Sequence, residues 1–181
     1  MTVNRRVEWS EIGWIEVDSA TVGFGDDVCR RVLGRPLLDL HFGRGDGHGP
    51  VIDFTQYGVP LIGFVTMEDR DYPVELARDH TGRLLGARIC LTTDVDELED
   101  ELEGIWQPVG AVPITSATCI AADPFIDHQI YRRSFECPNG LFPVEVFEWS
   151  DPEQDGSIDR LGIRVLFEDR SVMKNPERGR A

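Results

Sequence analysis

The sequence predicts a β-rich α+β protein made of two similar lobes, the product of an internal duplication with pseudo-twofold symmetry. Three observations carry this expectation. Residues 12–27, IGWIEVDSATVGFGDD, align without a gap on residues 109–124, VGAVPITSATCIAADP, which sets Gly13 on Gly110, Ser19-Ala20-Thr21 on Ser116-Ala117-Thr118 and Asp26 on Asp123. YPVEL at 72–76 returns as FPVEV at 142–146, and LLGARICL at 84–91 returns as RLGIRVLF at 160–167, in the same order. Helical periodicity is scarce, whereas short apolar runs bounded by turn residues are frequent. A unit that recurs with its blocks in order is one supersecondary module used twice.

Gly13–Val17 alternates apolar and polar residues, the polar Asp18-Ser19 step suits a tight turn, and Thr21–Phe24 resumes the strand. Pro-Val-Glu reads as a strand start, since proline lacks the N–H that a central strand position must donate. Residues 78–83 form a hairpin turn into Leu84–Leu91, and residues 150–157 make a longer turn before the matching strand. Each lobe is expected to hold about four strands. A helix is expected at Asp94–Glu103, where Val95, Leu98 and Leu102 share one face, Asp94 and Glu97 can form a capping box, and Gly104 follows. A shorter helix is expected at Asp27–Leu33, with Gly34 as its stop. Lobe one covers 1–104 with an insertion at 28–70, lobe two covers 105–169, and 170–181 is a loose tail, the whole forming one compact unit. The expected core is Ile15, Val17, Phe24, Val74, Ile89, Val112, Ile114, Val144, Ile163 and Val165.

Composition limits the function. The chain has 181 residues, with 18 Lys plus Arg against 33 Asp plus Glu, for a net charge of −15. That balance argues against nucleic-acid binding, which depends on cationic side chains neutralising phosphates. No apolar run approaches the roughly 20 residues of a membrane span. MTVNRRVEWSEIGW has basic residues but no apolar stretch behind them, so no export is expected. Cys29, Cys90, Cys119 and Cys137 form no CxxC pair and are read as reduced core residues, consistent with a cytoplasmic protein.

The repeated motifs resemble those of the bacterial domain of unknown function 4241 family. Lobe two matches it at Gly110, Ser116, Ala121-Ala122-Asp123-Pro124, Pro138-Asn139-Gly140, Phe142-Pro143-Val144-Glu145-Val146 and Leu161-Gly162-Ile163-Arg164 with Phe167. Lobe one matches the family's other half at Gly13, Val17–Thr21, Phe24, Asp26, Asp71-Tyr72-Pro73-Val74 and Arg78–Leu85. The halves stand in the opposite order, and Ala20 and Ala117 replace a glycine of the family pattern. The resemblance implies the two-lobed architecture and brings no activity with it.

The candidate chemistry lies in carboxylates. Asp26 with Asp123, and Glu75 with Glu145, are equivalent across the repeat, and carboxylates brought together in an inter-lobe cleft can share a proton or act as acid and base. Set against this, an aspartate in a turn satisfies backbone N–H groups, and a glutamate beside an apolar strand residue points to the opposite, solvent face. An aspartic-protease dyad is excluded, because Asp18-Ser19-Ala20 aligns with Thr115-Ser116-Ala117, leaving one acid. His41, Asp46, His48 and Asp53 are the densest set of possible metal ligands, but they lie on a Gly-rich loop without HxH or HExxH spacing, so no metal is expected. No GxSxG or phosphate-binding loop occurs, no catalytic residue is assigned, and no cofactor is expected.

The sequence therefore points to a non-enzymatic binding or inhibitory protein, immunity- or antitoxin-like, whose partner is a basic protein such as a toxin. The candidate partner-binding residues are Asp96, Glu97, Asp100 and Glu101 on the acidic helix, since a dense negative surface steers association with cations. The alternative is an enzyme or small-ligand binder using Asp26, Glu75, Asp123 and Glu145.

Overall fold

The computed structural model describes residues 7–43, 49–92, 106–150 and 158–169. In chain order the strands are β1 (Glu8–Ile15), β2 (Thr21–Asp26), β3 (Val51–Asp53), β4 (Leu61–Val65), β5 (Tyr72–Arg78), β6 (Leu84–Cys90), β7 (Trp106–Ile114), β8 (Thr118–Ala122), β9 (Arg132–Glu136), β10 (Gly140–Ser150) and β11 (Ile158–Leu166). One α-helix, α1 (Arg35–Phe42), and three short 3-10 turns, Asp27–Arg31, Phe54–Tyr57 and Gln129–Tyr131, complete the described elements. The protein is β-rich, as expected.

The strands form two antiparallel sheets. The first runs β1-β5-β6-β11-β10-β7 and the second β3-β4-β2-β8-β9. The motif at 12–27 becomes the end of β1, a turn and β2, and the motif at 109–124 becomes most of β7, a turn and β8, so each hands the chain from one sheet to the other. The two Pro-Val-Glu strands, β5 and β10, each sit second from an edge of the first sheet. β6 and β11 pair at its centre, with Ile163 opposite Ile89 and Arg164 opposite Arg88. β2 and β8 pair in the second sheet, with Gly25 opposite Ile120.

The main core lies between the sheets. Ile15, Val74, Ile89, Val112, Val144, Ile163 and Val165 from the first meet Val22, Phe24, Phe64 and Cys119 from the second. All ten expected core residues are buried. A smaller cluster of Cys29, Leu33, Leu37, Phe54, Leu61 and Ile120 covers the other face of the second sheet. A third, of Cys90, Trp106, Phe147 and Leu161, lies on the outer face of the first.

The insertion at 28–70 differs from expectation. Asp27–Arg31 is a 3-10 turn, and Gly34, read as a stop, instead precedes α1, whose Pro36 stands in the first turn where no N–H is needed. The same segment supplies β3 and β4, and β4 pairs with β2. The expected acidic helix at Asp94–Glu103 and the tail at 170–181 lie outside the described residues.

Candidate functional site

Asp26 and Asp123 are fully buried, and each grips the turn that belongs to the other block. Asp26 ends β2. Its Oδ2 accepts from the N–H of Thr115 (2.6 Å), the N–H of Ser116 (3.3 Å) and the Thr115 hydroxyl (2.8 Å). Its Oδ1 accepts from the Ser116 hydroxyl and from the N–H of Val28 (3.1 Å). Asp123, just past β8, accepts on Oδ2 from the N–H groups of Asp18 and Ser19 (both 3.0 Å) and on Oδ1 from the Ser19 hydroxyl (2.5 Å) and the N–H of Phe125 (3.0 Å). The two gripped turns share a backbone form as well: Ala20 has φ 51° and Ala117 φ 56°, both left-handed. Their N–H groups donate to side chains, Ala20 to Asp69 (2.7 Å) and Ala117 to Asn139 (2.6 Å).

The two aspartates differ in proton affinity. Burial alone raises Asp26, but donation from the Ser116 hydroxyl and from Thr115 and Val28 outweighs it and holds the carboxyl below its ordinary 3.8. At Asp123 burial wins over the same kind of bonds and pushes the carboxyl up. They do not form a dyad. Asp26 faces Cys119 in the β2–β8 register and Gly23 faces Ala122. Asp123 thus falls four residues along β2 from Asp26, about 13 Å away at ~3.4 Å per residue.

Glu75 and Glu145 belong to one row across the outer face of the first sheet. The registers place Glu11 opposite Glu75, Glu75 opposite Arg88, Arg88 opposite Arg164, and Arg164 opposite Glu145. Arg88 Nε donates to Glu75 Oε2 at 2.6 Å, and Arg164 Nε donates to Glu145 Oε2 at 2.8 Å. Each guanidinium lies against an indole: Arg88 is 4.0 Å from the Trp9 ring centroid and Arg164 is 4.2 Å from that of Trp106. The Cys90 thiol also donates to Glu75 (3.0 Å). The outward direction expected for the two glutamates holds, but solvent exposure does not. Glu145 is 4% exposed and Arg88 and Arg164 are buried with it. With strands ~4.8 Å apart, the glutamate backbones are about 14 Å apart with two guanidiniums between them. That is too far for two carboxyls to share a proton or flank one bond.

The remaining candidates scatter. Asp96, Glu97, Asp100 and Glu101 lie outside the described residues, as do Asp46 and His48. His41 stacks on Phe125, with ring centroids 5.7 Å apart. Asp53 caps the 3-10 turn after it, accepting from the Thr55 N–H (2.9 Å) and hydroxyl (2.5 Å). Among the described residues no three His, Cys, Asp or Glu side chains are grouped as metal ligands. All four cysteines are buried and none is in a disulfide, and burial pushes the Cys29 thiol up to about 12.

Trp9, Arg88, Trp106 and Arg164 were not singled out from the sequence, although the signal was present. The two arginines occupy equivalent places in LLGARICL and RLGIRVLF, and extending the first alignment three residues upstream sets Trp9 on Trp106. The fold and these contacts define a two-sheet, β-rich protein whose central carboxylates are engaged in holding it together. No helix among the described residues is long and apolar enough to cross a membrane. No family model, no curated protein and no solved structure matches the chain.

Proposed function

We propose that the chain is a cytoplasmic, non-enzymatic binding or inhibitory protein, immunity- or antitoxin-like, for a basic protein partner, and that its two lobes arose by duplication about a pseudo-twofold axis. The observation that carries the binding reading is the engagement of every candidate cleft carboxylate. Asp26 and Asp123 are taken by turn N–H and hydroxyl groups, and Glu75 and Glu145 by arginines. These four acids hold the fold and are not presented to a substrate. The net charge of −15 then remains as the chemical character a partner meets.

The duplication is supported by three reciprocal sets. Asp26 grips residues 115–116 while Asp123 grips 18–19; Ala20 and Ala117 share a left-handed backbone; and Trp9-Arg88-Glu75 has its counterpart in Trp106-Arg164-Glu145. The test is capture from the native host at low salt, identification of what is bound, and reconstitution with the purified partner. The expected partner is basic, and its affinity falls steeply with salt. A neutral or acidic partner, or a salt-independent affinity, contradicts the proposal.

A further inference from the structure

We infer that the exposed edge of β1 is a strand-docking site for an extended, basic segment of a protein partner. The inference rests on the proposed function and names the surface that performs it. A sheet edge presents unpaired N–H and C=O groups and recruits another strand unless it is short, covered or interrupted by proline. Among the described residues the two sheets end in four edge strands, β1, β7, β3 and β9. Three are unsuitable. β7 carries Pro108 and Pro113, which lack N–H donors; β3 has only three residues; and β9 has five, two of them Arg132 and Arg133, of like charge to a basic segment.

β1 differs on each count. It has eight residues, Glu8 to Ile15, no proline, and one described partner strand, β5. Its C-terminal end approaches the second sheet: just past β1 the Glu16 N–H donates to the Ile130 carbonyl (3.1 Å), and the Arg133 side chain passes over Gly13. A Cβ at Gly13 would sit 2.7 Å from Arg133 Nε, and its φ is +138°, so glycine is required where β1 bulges between Glu11 and Gly13. The bulge leaves Ile12 37% exposed, and Trp14 is 47% exposed. Within the repeat the contrast is internal. Where lobe one has Glu11 and Trp14, lobe two has Pro108 and Ala111.

The side chains select the occupant. Glu8, Glu11 and Glu16 are all exposed, and Glu11 Oε1 accepts from Trp14 Nε1 at 2.7 Å, which sets a carboxylate beside an exposed indole. An incoming strand that alternates Lys or Arg with Val or Ile pairs a cation with Glu11 on the face that Glu11 shares with Trp14, rests it on the Trp14 ring, and covers Ile12. A second copy of this chain brings the same glutamates and another −15 of charge to the edge, so self-pairing is disfavoured.

The test uses the full chain and two synthetic ten-residue peptides, one alternating Val with Lys and one alternating Val with Glu. Amide hydrogen exchange of residues 8–12 is the readout. The Val–Lys peptide is expected to slow exchange there at least tenfold at saturation, and the Val–Glu peptide is expected to have no effect. Ile12→Pro should abolish the protection. Because that variant can fail to fold, the paired substitution Glu8→Lys with Glu11→Lys keeps the backbone and should exchange the peptide preference. No protection of 8–12, equal protection by both peptides, protection confined to 106–114, or a concentration-dependent dimer with 8–12 protected each overturns the inference. A basic host partner that binds the Ile12→Pro protein unchanged defeats the β1 site and leaves the proposed function standing. Absence of any basic partner, with peptide protection intact, defeats the proposed function and leaves the β1 site.

Discussion

Replacing Asp26 with alanine tests whether the repeated aspartates are structural. The side chain accepts five hydrogen bonds, three of them from the backbone N–H groups of Val28, Thr115 and Ser116. The two hydroxyls can turn to other acceptors, but the amides cannot. A buried donor left without a partner costs about 1–3 kcal/mol, and water entering the space vacated recovers part of that. The expected loss is therefore about 3–5 kcal/mol, out of ~5–15 for a typical domain. Urea unfolding at pH 7, followed by near-ultraviolet circular dichroism, measures it. Asp18→Ala, at an exposed position, should change stability by less than about 0.5 kcal/mol. A loss below about 1 kcal/mol for Asp26→Ala would show that the N–H groups have another acceptor and that Asp26 does not hold the turn.

The isosteric Asn variants add a pH signature of opposite sign at the two sites. Asp26 is held below 3.8, so its charged form stabilises the fold above the unfolded value, and that contribution disappears as pH falls through the folded value. Asp123 is pushed up, so its contribution is fullest below the unfolded value and declines as pH rises through the folded value. The penalty of Asp26→Asn should accordingly grow from pH 3 to pH 6 while that of Asp123→Asn shrinks. Parallel curves would contradict the assignment.

Three further outcomes are expected. Ala20→Gly and Ala117→Gly should each raise stability by about 0.5 kcal/mol, since relief of left-handed strain (~1–2 kcal/mol) exceeds the added freedom of the unfolded glycine (~0.4–1 kcal/mol); a fall in urea midpoint would show that the alanine methyls contribute packing. Arg164→Ala should cost about 3–5 kcal/mol by stranding buried Glu145, whereas Arg164→Met with Glu145→Leu should be near neutral; equal losses in the two would place the cost in packing instead. In the native protein Cys29, Cys90 and Cys119, all no more than 2% exposed, should resist a thiol reagent that reacts with every cysteine after unfolding; rapid labelling of Cys90 would show that the outer-face cluster opens.

Eight of the eleven described strands were legible because the motifs that form β1, β2, β5 and β6 recur in β7, β8, β10 and β11. Gly13–Val17 and Thr21–Phe24 had partners at 110–114 and 118–121, and the Pro-Val-Glu blocks marked two strands unambiguously. α1 was missed because Gly34 reads as the stop of a helix at Asp27–Leu33, although glycine before a helix and a proline in its first turn, here Pro36, are compatible with a start. The structural role of Asp26 and Asp123 was legible in kind: an aspartate at the end of a strand takes turn amides. Its reach was not legible. Local turn bonding concerns residues two positions on, such as Val28 and Phe125, whereas the gripped turns lie 89 and 104 residues away. Glu75 and Glu145 were expected in solvent because strand alternation sets direction, not cover. The burial of Glu145 and half-burial of Glu75 depend on Arg164 and Arg88 falling in register on neighbouring strands, which no local pattern encodes.

The most direct test of the central claim, an acidic binding protein for a basic partner, is the association rate of the purified chain with its reconstituted host partner across a salt series. The rate should fall steeply from about 50 to 500 mM salt, and should be slowed and made less salt-dependent by reversing Glu97, Asp100 and Glu101 to Lys. A partner whose association is flat across that range, and unchanged by the reversal, would contradict it.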